Sequence, residues 1–327
     1  MTEELRTVDA ALLSHLQTWQ GRAEALHDTI TSAPVSGLSA TLDRDDPEPA
    51  LGTVVPPLWH WLYFLPHARA SEIGPDGHPK RGGFLPPVPL PRRMWAGGRL
   101  SWEPANPLCV GQQVQRRSTI QSVSHKAGRS GELLFVLVEH KYLNAHGLAL
   151  TEEHDIVYRS AAQPGEAAPA PQKPPLAGQA AWSRTIVPDD VLLFRYSALT
   201  FNGHRIHYDR KYVTEVEGYP GLIVHGPLIA TLLLDLLRRE LPQARLVFID
   251  HGAHAAVADW VACMAADGHL VTDPLEDQGD IRAAQAARQE SGSADAPAAE
   301  IRLALADIDC KERTDMVGRL DRARAEI

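Results

Sequence analysis

The sequence predicts an α+β protein made of two modules, and three observations carry that expectation. A strand, a turn and a returning strand run from Glu132 to Tyr158. An apolar run from Leu228 to Leu237, framed by Pro227 and Pro242, has the length of a buried helix. Between the two lies a Pro- and Ala-rich stretch, residues 161–179, with the composition of a linker.

The elements follow in chain order. In residues 5–30, Leu5, Val8, Leu12, Leu16, Trp19 and Leu26 recur at helical steps, which predicts a helix. Pro56 and Pro66 enclose the apolar, aromatic run Leu58–Leu65, read as a short buried helix. Residues 74–98 are rich in Gly and Pro but also carry Phe84, Met94 and Trp95, so they read as an ordered loop. Val110–Ser124 alternates in part, Glu132–Tyr142 is the clearest strand, Asn144–Gly147 is a turn, and Leu148–Tyr158 returns. The second half opens with a strand at Trp182–Val187. Its helix runs from Pro227 to Glu240, because proline suits a first helical position and Pro242 stops the run. That helix is apolar on nearly every side, so other structure must wrap it. Arg245–Ile249 reads as the next strand. Residues 271–300 are Ala-, Gln-, Asp- and Glu-rich with little periodicity, and 271–327 read as a divergent or disordered tail.

Composition excludes several functions. A net charge of -9 does not recruit nucleic acid or an anionic membrane. No apolar run reaches membrane-spanning length, and the first residues carry acids where a signal peptide carries bases, so a cytoplasmic location is expected. Cys109, Cys263 and Cys310 lack the spacing of a disulfide framework or a zinc ribbon. No phosphate-binding glycine motif sits between a strand and a helix, so no nucleotide or redox cofactor is expected.

Chemistry concentrates in two segments. Tyr196–Asp209 packs Asn202, His204, Arg205, His207, Tyr208 and Asp209 together, and Gly221–Leu228 leads through His225 and Gly226 into the apolar helix. Proton-transfer groups beside a helix N-terminus suit thioester enol chemistry: one group moves protons while free backbone N–H groups polarise the carbonyl. His207 is the candidate general base; a loop histidine satisfied by backbone groups is the plain alternative. Asn202 cannot ionise but can orient a water or hold a substrate hydroxyl, or simply form an Asx turn before Gly203. His204 either shares the acid and base roles with His207, three residues away, or supports the loop. Gly226 can present its N–H to a thioester carbonyl. Arg205 offers a fork to a substrate carboxylate, or pairs with Asp209. Arg92 and Arg93 carry the same ambiguity. His225 and Tyr208 complete the candidate substrate-binding set. His204, His207 and Asp209 have metal-ligating side chains, but no further ligand stands at a recognisable spacing, and no metal is expected.

These residues resemble a known family. Thr200–His207 resembles the signature Ser-Gly-Asp-x-Asn-Pro-aliphatic-His of MaoC-like hydratases and dehydratases, and Val224-His-Gly-Pro227 resembles that family's second conserved segment. The wording Phe-Asn-Gly-His-Arg-Ile-His-Tyr-Asp is similar to the branch of 3-hydroxyacyl-thioester dehydratases and 3-methylfumaryl-CoA (mesaconyl-CoA) hydratases. Gly83–Gly98 fits the bacterial hydratases of that branch. The family's catalytic Asp falls on Asn202 and its Asn on His204, with Arg205 in place of Pro, so the aspartate's role does not carry over.

The resemblance implies a double hot-dog fold, two antiparallel sheets each wrapping a helix. Residues 1–160 would be a non-catalytic module shaping the substrate tunnel, and 180–270 the catalytic module. A hot-dog needs further strands after its helix, and the chain beyond Ile249 does not read like them; either the C-terminal part is divergent or its reading frame is disrupted. The implied activity is reversible hydration or dehydration of a 2-enoyl/3-hydroxyacyl thioester, with a 3-methylfumaryl-CoA hydratase as the specific expectation. The alternatives are a 3-hydroxyacyl-ACP dehydratase of fatty acid synthesis and a non-catalytic acyl-thioester binding protein. The partner is then an acyl-CoA or acyl-ACP, and the chain acts as a pseudo-dimeric monomer or as a homodimer.

Overall fold

Alternation builds the largest feature of the molecule, a six-stranded antiparallel sheet in the order β1 (Ala23–Thr29), β3 (Gln113–Gly128), β4 (Gly131–Asn144), β5 (Gly147–Arg159), β2 (Arg92–Trp102), β8 (Phe248–His251). The computed structural model describes residues 8–80, 82–128, 131–160, 180–219, 221–242, 245–246, 248–251, 263–264, 269–271 and 301–306. The expected linker, 161–179, lies outside the described residues, as does most of the expected tail.

The first half supplies five of the sheet's strands: β1 (Ala23–Thr29), β2 (Arg92–Trp102), β3 (Gln113–Gly128), β4 (Gly131–Asn144) and β5 (Gly147–Arg159). The expected hairpin is present, with Asn144 opposite Gly147 and the Asn144 side chain accepting from the His146 N–H. Two helices precede β2: α1 (Ala10–Gln17), capped by Asp9, and α2 (Ser32–Thr41).

Three expectations are corrected. Among the described residues, helical spacing over 5–30 yields helix only at α1; Gly21, at φ 80, turns the chain, and Ala23–Thr29 pairs along β3 instead. Hydrogen bonds to a partner strand override local periodicity there. The loop read over 74–98 ends at Pro91, because beyond the last proline the backbone can donate to both β5 and β8. The run Leu58–Leu65 forms a single 3-10 turn, Trp59–Leu62, between residues of positive φ at Leu58 and Phe64.

In the second half, β6 (Ala180–Ile186) leads to α3 (Asp190–Leu199), α4 (Arg210–Glu215) and α5 (Gly226–Glu240). Every residue of α5 from Leu228 to Leu237 is buried. Each fully buried Leu or Ile contributes roughly 1.5–3 kcal/mol, so this helix is a main source of cohesion. It packs against β6 and β11 (Ile301–Ala306), which pair antiparallel. It also shares one core with Leu100, Tyr142 and Leu150 of the large sheet. The expected strand after α5 is divided: β7 (Arg245–Leu246) joins a small sheet with β9 (Cys263–Met264) and β10 (His269–Val271), while β8 (Phe248–His251) adds to the edge of β2, Ile249 opposite Leu100. The two halves are thus joined through backbone as well as side chains. This is the α+β, helix-wrapping plan of the hot-dog.

Two polar features interrupt the apolar packing. Alternation places Leu134, Val136, Val138, His140 and Tyr142 on one face of β4. The first three lie in a core closed by Leu16, Val88 and Leu90, whereas Tyr142 belongs to the α5 core. Between the two cores sits Glu152, whose carboxylate accepts from Trp61 Nε1 (2.9 Å) and the Tyr142 hydroxyl (2.8 Å) and meets His60 Nε2 at 3.2 Å. Burial pushes that carboxyl up, but the hydrogen bond to His60 and the surrounding charges hold it below its ordinary value. The second feature is Asp235 on α5, its side chain 1% exposed, ringed by Arg44 (2.7 Å), Arg239 (2.8 Å) and Arg184 (3.1 Å).

Removing one member of a buried ion pair strands the others without a counter-charge. Asp235→Ala should therefore lower unfolding stability by about 3–5 kcal/mol in a urea titration. Asp190→Ala, which breaks an exposed pair with Arg210, should leave the midpoint nearly unchanged.

Candidate active site

The motif loop begins where α3 ends. Asp189 caps α3 by accepting from the Leu192 N–H at 2.8 Å, and the helix carries Tyr196 and Ser197 into the core. The chain then reverses through Phe201, at φ 50. The Asn202 N–H donates to the Ser197 carbonyl (2.8 Å), and Asn202 Oδ1 accepts from the His204 N–H (3.0 Å). Asn202 thus forms the Asx turn that one reading of the sequence allowed. A 3-10 turn, Arg205–His207, follows, and Asp209 caps α4 by accepting from the Tyr212 N–H.

His207 is 7% exposed and is fixed by one bond, from Nδ1 to the Ile223 carbonyl at 2.7 Å. A carbonyl only accepts, so Nδ1 carries the proton and Nε2 keeps its lone pair. Burial, and then the nearby His78, push the imidazole down to about 4, while the bond to Ile223 opposes them. The ring is therefore neutral near pH 7 with Nε2 as its basic nitrogen.

His207 stands in a group of imidazoles. His225 stacks on it, 3.7 Å between ring centroids at 19°. His204 lies 5.3 Å away at 89°, and His78 lies 4.0 Å beyond, at 39° to His204. Burial is the largest cause pushing His204 down to about 3 and His225 well below its ordinary value. His225 Nε2 meets Ser197 Oγ at 2.7 Å, while its buried Nδ1 has no hydrogen-bond partner among the described residues. His225 is also the N-cap of α5 and makes no side-chain cap bond. The first-turn N–H groups of α5 are thus left for another acceptor, and Gly226 and Pro227 are only half-buried where the helix beyond them is buried.

The remaining candidates are held differently. The Arg205 guanidinium is engaged by Asp209 (Nε 3.0 Å, Nη2 2.7 Å) and by the Pro75 carbonyl (2.9 Å), and lies 4.0 Å over the Tyr212 ring. It ties loops together. The Tyr208 hydroxyl donates to the Gly203 carbonyl at 2.9 Å, which also braces the loop.

Sequence reasoning missed two members of this group. Residues 74–78 form a turn that docks on the motif loop, with the Arg205 N–H donating to the Asp76 carbonyl at 2.9 Å. At Gly77, φ 89, a Cβ would lie 1.8 Å from the Gly203 carbonyl oxygen, so only glycine permits the approach. The turn brings in His78 and Asp76. Asp76, His78 and His204 each present one ligand atom within 4.8 Å of the others, a spacing able to hold a cation. The set His204, His207 and Asp209 is not brought together, because Asp209 faces Arg205 and the Tyr212 N–H. The available signal was Pro75-Asp76-Gly77, a turn sequence with a histidine beside it.

The chain also resembles known proteins. The family profile for hydroxyacyl-thioester dehydratase type 2 matches residues 58–254. The mesaconyl-C(4)-CoA hydratase of Chloroflexus aurantiacus is 50% identical over 225 residues, 68% of this chain and 78% of that one. The mitochondrial hydroxyacyl-thioester dehydratase type 2 of Schizosaccharomyces pombe is 28% identical over 246 residues, 67% of this chain and 80% of that one. Among solved structures, a MaoC-like dehydratase superposes with a TM-score of 0.50 at 14% identity, over 74% of this chain and 85% of that one; this likeness bears on the fold alone.

Buried neutral histidines predict a pH dependence of stability. In the unfolded chain these imidazoles titrate near 6.5, and in the folded protein His207 titrates at about 4 and His204 at about 3. Above the unfolded value neither state is protonated, and nothing changes. Below it the unfolded chain binds protons that the folded chain refuses, so stability falls as pH drops towards the folded values. Urea midpoints at about pH 7.5 and about pH 5 should show this fall, and His207→Gln should make it shallower.

Proposed function

We propose a reaction from the premise that these matches supply: the chain belongs to the hydroxyacyl-thioester dehydratase type 2 family. It is a hydro-lyase, and its reaction is the reversible addition of water to a 2-enoyl thioester to give the 3-hydroxyacyl thioester. The observation that carries this reading is the placing of a neutral imidazole, Nε2 bare, beside the uncapped N-terminus of a buried helix.

The chemistry follows from those two groups. The thioester carbonyl accepts from the first-turn N–H groups at Gly226, where the helix dipole favours negative charge. Water adds through its oxygen to C3, and one of its protons passes to His207 Nε2. The electron pair of the C2=C3 bond moves towards the carbonyl, whose oxygen becomes enolate-like. As the enolate collapses, C2 takes a proton from the His207 imidazolium, which returns to neutral. His204 and Asn202 hold the water. An imidazolium that burial disfavours gives its proton up readily, which suits the second step.

For the substrate we favour a CoA thioester whose acyl group bears a free carboxylate, as in 3-methylfumaryl-CoA. The support is the 50% identity to a mesaconyl-C(4)-CoA hydratase over 78% of its length. A net charge of -9 disfavours docking of an acidic carrier protein. Arg205, already engaged by Asp209, is a poor reader of that carboxylate. Arg93 on β2 is the remaining candidate, because its charge reaches His204. No helix among the described residues is long and apolar enough to cross a membrane; the cytoplasmic location is proposed from the sequence.

His207→Ala should lower kcat/KM for 3-methylfumaryl-CoA by roughly 10²–10⁴-fold in a folded protein; rates near those of the unaltered chain would remove His207 from the mechanism. Arg93→Ala should raise KM for 3-methylfumaryl-CoA more than for crotonyl-CoA, which lacks the carboxylate. An equal effect on both substrates would exclude Arg93 as the carboxylate reader.

A further inference from the structure

His207 is oriented by its bond to Ile223, but nothing in the motif loop orients the ring of His204 in the same way. Its backbone N–H bonds to Asn202, and its imidazole lies over that of His78, ring centroids 4.0 Å apart. His78 comes from the first half of the chain. It is held twice by a single carboxylate: Asp76 Oδ1 accepts from the His78 N–H at 3.0 Å, and Asp76 Oδ2 meets His78 Nδ1 at 3.2 Å. An ionised carboxylate only accepts, so Nδ1 of His78 carries a proton.

The turn that carries this carboxylate is itself fixed to the motif loop through its backbone. The backbone of Asp76 accepts from the Arg205 N–H, the Pro75 carbonyl accepts from Arg205 Nη1, and Gly77 touches Gly203 backbone to backbone. Each of these contacts crosses from residues 74–78 to residues 203–205. The second half has a carboxylate in its own loop, Asp209, but it is occupied by Arg205 and by capping α4.

We infer that Asp76 and His78 are positioning residues of the active site: Asp76 locks the His78 ring, and His78 holds the His204 ring at the angle from which it binds the water beside His207. This deepens the hydratase reading and rests on it. It also means that the first half does more than shape a tunnel, since part of the catalytic geometry of the second half depends on it. Asp76 acts through His78, and His78 through His204; neither exchanges a proton with substrate. The same three side chains have the donors for a cation, so the inference has a definite rival: His204 would then be a ligand rather than a water-holding group.

The test combines kinetics with a measurement that needs no turnover. With 3-methylfumaryl-CoA, His78→Ala and Asp76→Ala should each lower kcat at least about tenfold with KM little changed, a part of the roughly 10²–10⁴-fold that a general acid–base arrangement supplies. His78→Phe restores a ring against His204 and should recover most of kcat. In that background Asp76→Ala should add no further loss, because the residue it acts through is gone. A full additional loss in the double variant, or kcat within threefold of the unaltered chain in both single variants, would overturn the inference. So would activity that a chelator abolishes and added zinc restores. In parallel, ¹⁵N-histidine NMR of the free protein should show His78 protonated at Nδ1, and Asp76→Ala should shift the His204 imidazole signals. A His204 signal that ignores Asp76→Ala would overturn the inference even if the unaltered chain turned nothing over, a result that would by itself contradict only the proposed reaction.

Discussion

One hydrogen bond organises the site: His207 Nδ1 to the carbonyl of Ile223. It joins the motif loop to the segment that leads into α5, and the Ile223 N–H answers it by donating to the Ile206 carbonyl at 3.0 Å. Through this pair of bonds, the position of the helix N-terminus and the position of the proposed base are set together. The same bond chooses the tautomer, leaving Nε2 as the free nitrogen. Stacking with His225 and burial of the ring then follow, and they keep the imidazole neutral. A neutral base and an uncapped helix end at fixed separation are what addition of water to an enoyl thioester demands.

This arrangement has an electrostatic consequence. Three imidazoles with depressed proton affinity, His204, His207 and His225, follow one another in ring contact, His207 between the other two, and a proton on any of them opposes a proton on the next. Such a cluster is unfavourable below neutral pH and would be a poor choice for a purely structural core, where apolar side chains of similar volume pack without that penalty. The Asp235 network is the opposite case. There, three arginines surround one carboxylate at the far end of α5, away from the site, and the arrangement locks helix to loop without any group whose charge changes near neutrality. Both ends of α5 therefore carry buried polar structure, one suited to anchoring and one to chemistry.

Much of this was legible in the sequence, for identifiable reasons. Pro227 and Pro242 bracket α5, and its all-round apolar composition announced burial, because those signals are local. The β4–β5 hairpin was legible from alternation and the Asn144–Gly147 turn. The two motif segments were legible because each is contiguous. What failed depended on partners far away in sequence. β1 has helical spacing and became a strand only because β3 was there to pair with it. Arg205 reads either as a fork for a substrate carboxylate or as a partner of Asp209; the pair with Asp209 is present, and the Pro75 carbonyl and the Tyr212 ring that also hold the guanidinium come from other segments. Asp76 and His78 lie well over a hundred residues before His204, and only the backbone contact at Gly77 and Gly203 brings them to it.

The histidine cluster set at the start of α5 is proposed to add water to an enoyl thioester. The most direct measurement is the enoyl-thioester absorbance of 3-methylfumaryl-CoA and of crotonyl-CoA, each mixed with the purified chain. A catalysed loss of absorbance that approaches a hydration equilibrium, faster for the carboxylated substrate, is expected. A folded, monodisperse protein that leaves both absorbances unchanged would contradict it and point instead to a protein that binds acyl thioesters without transforming them.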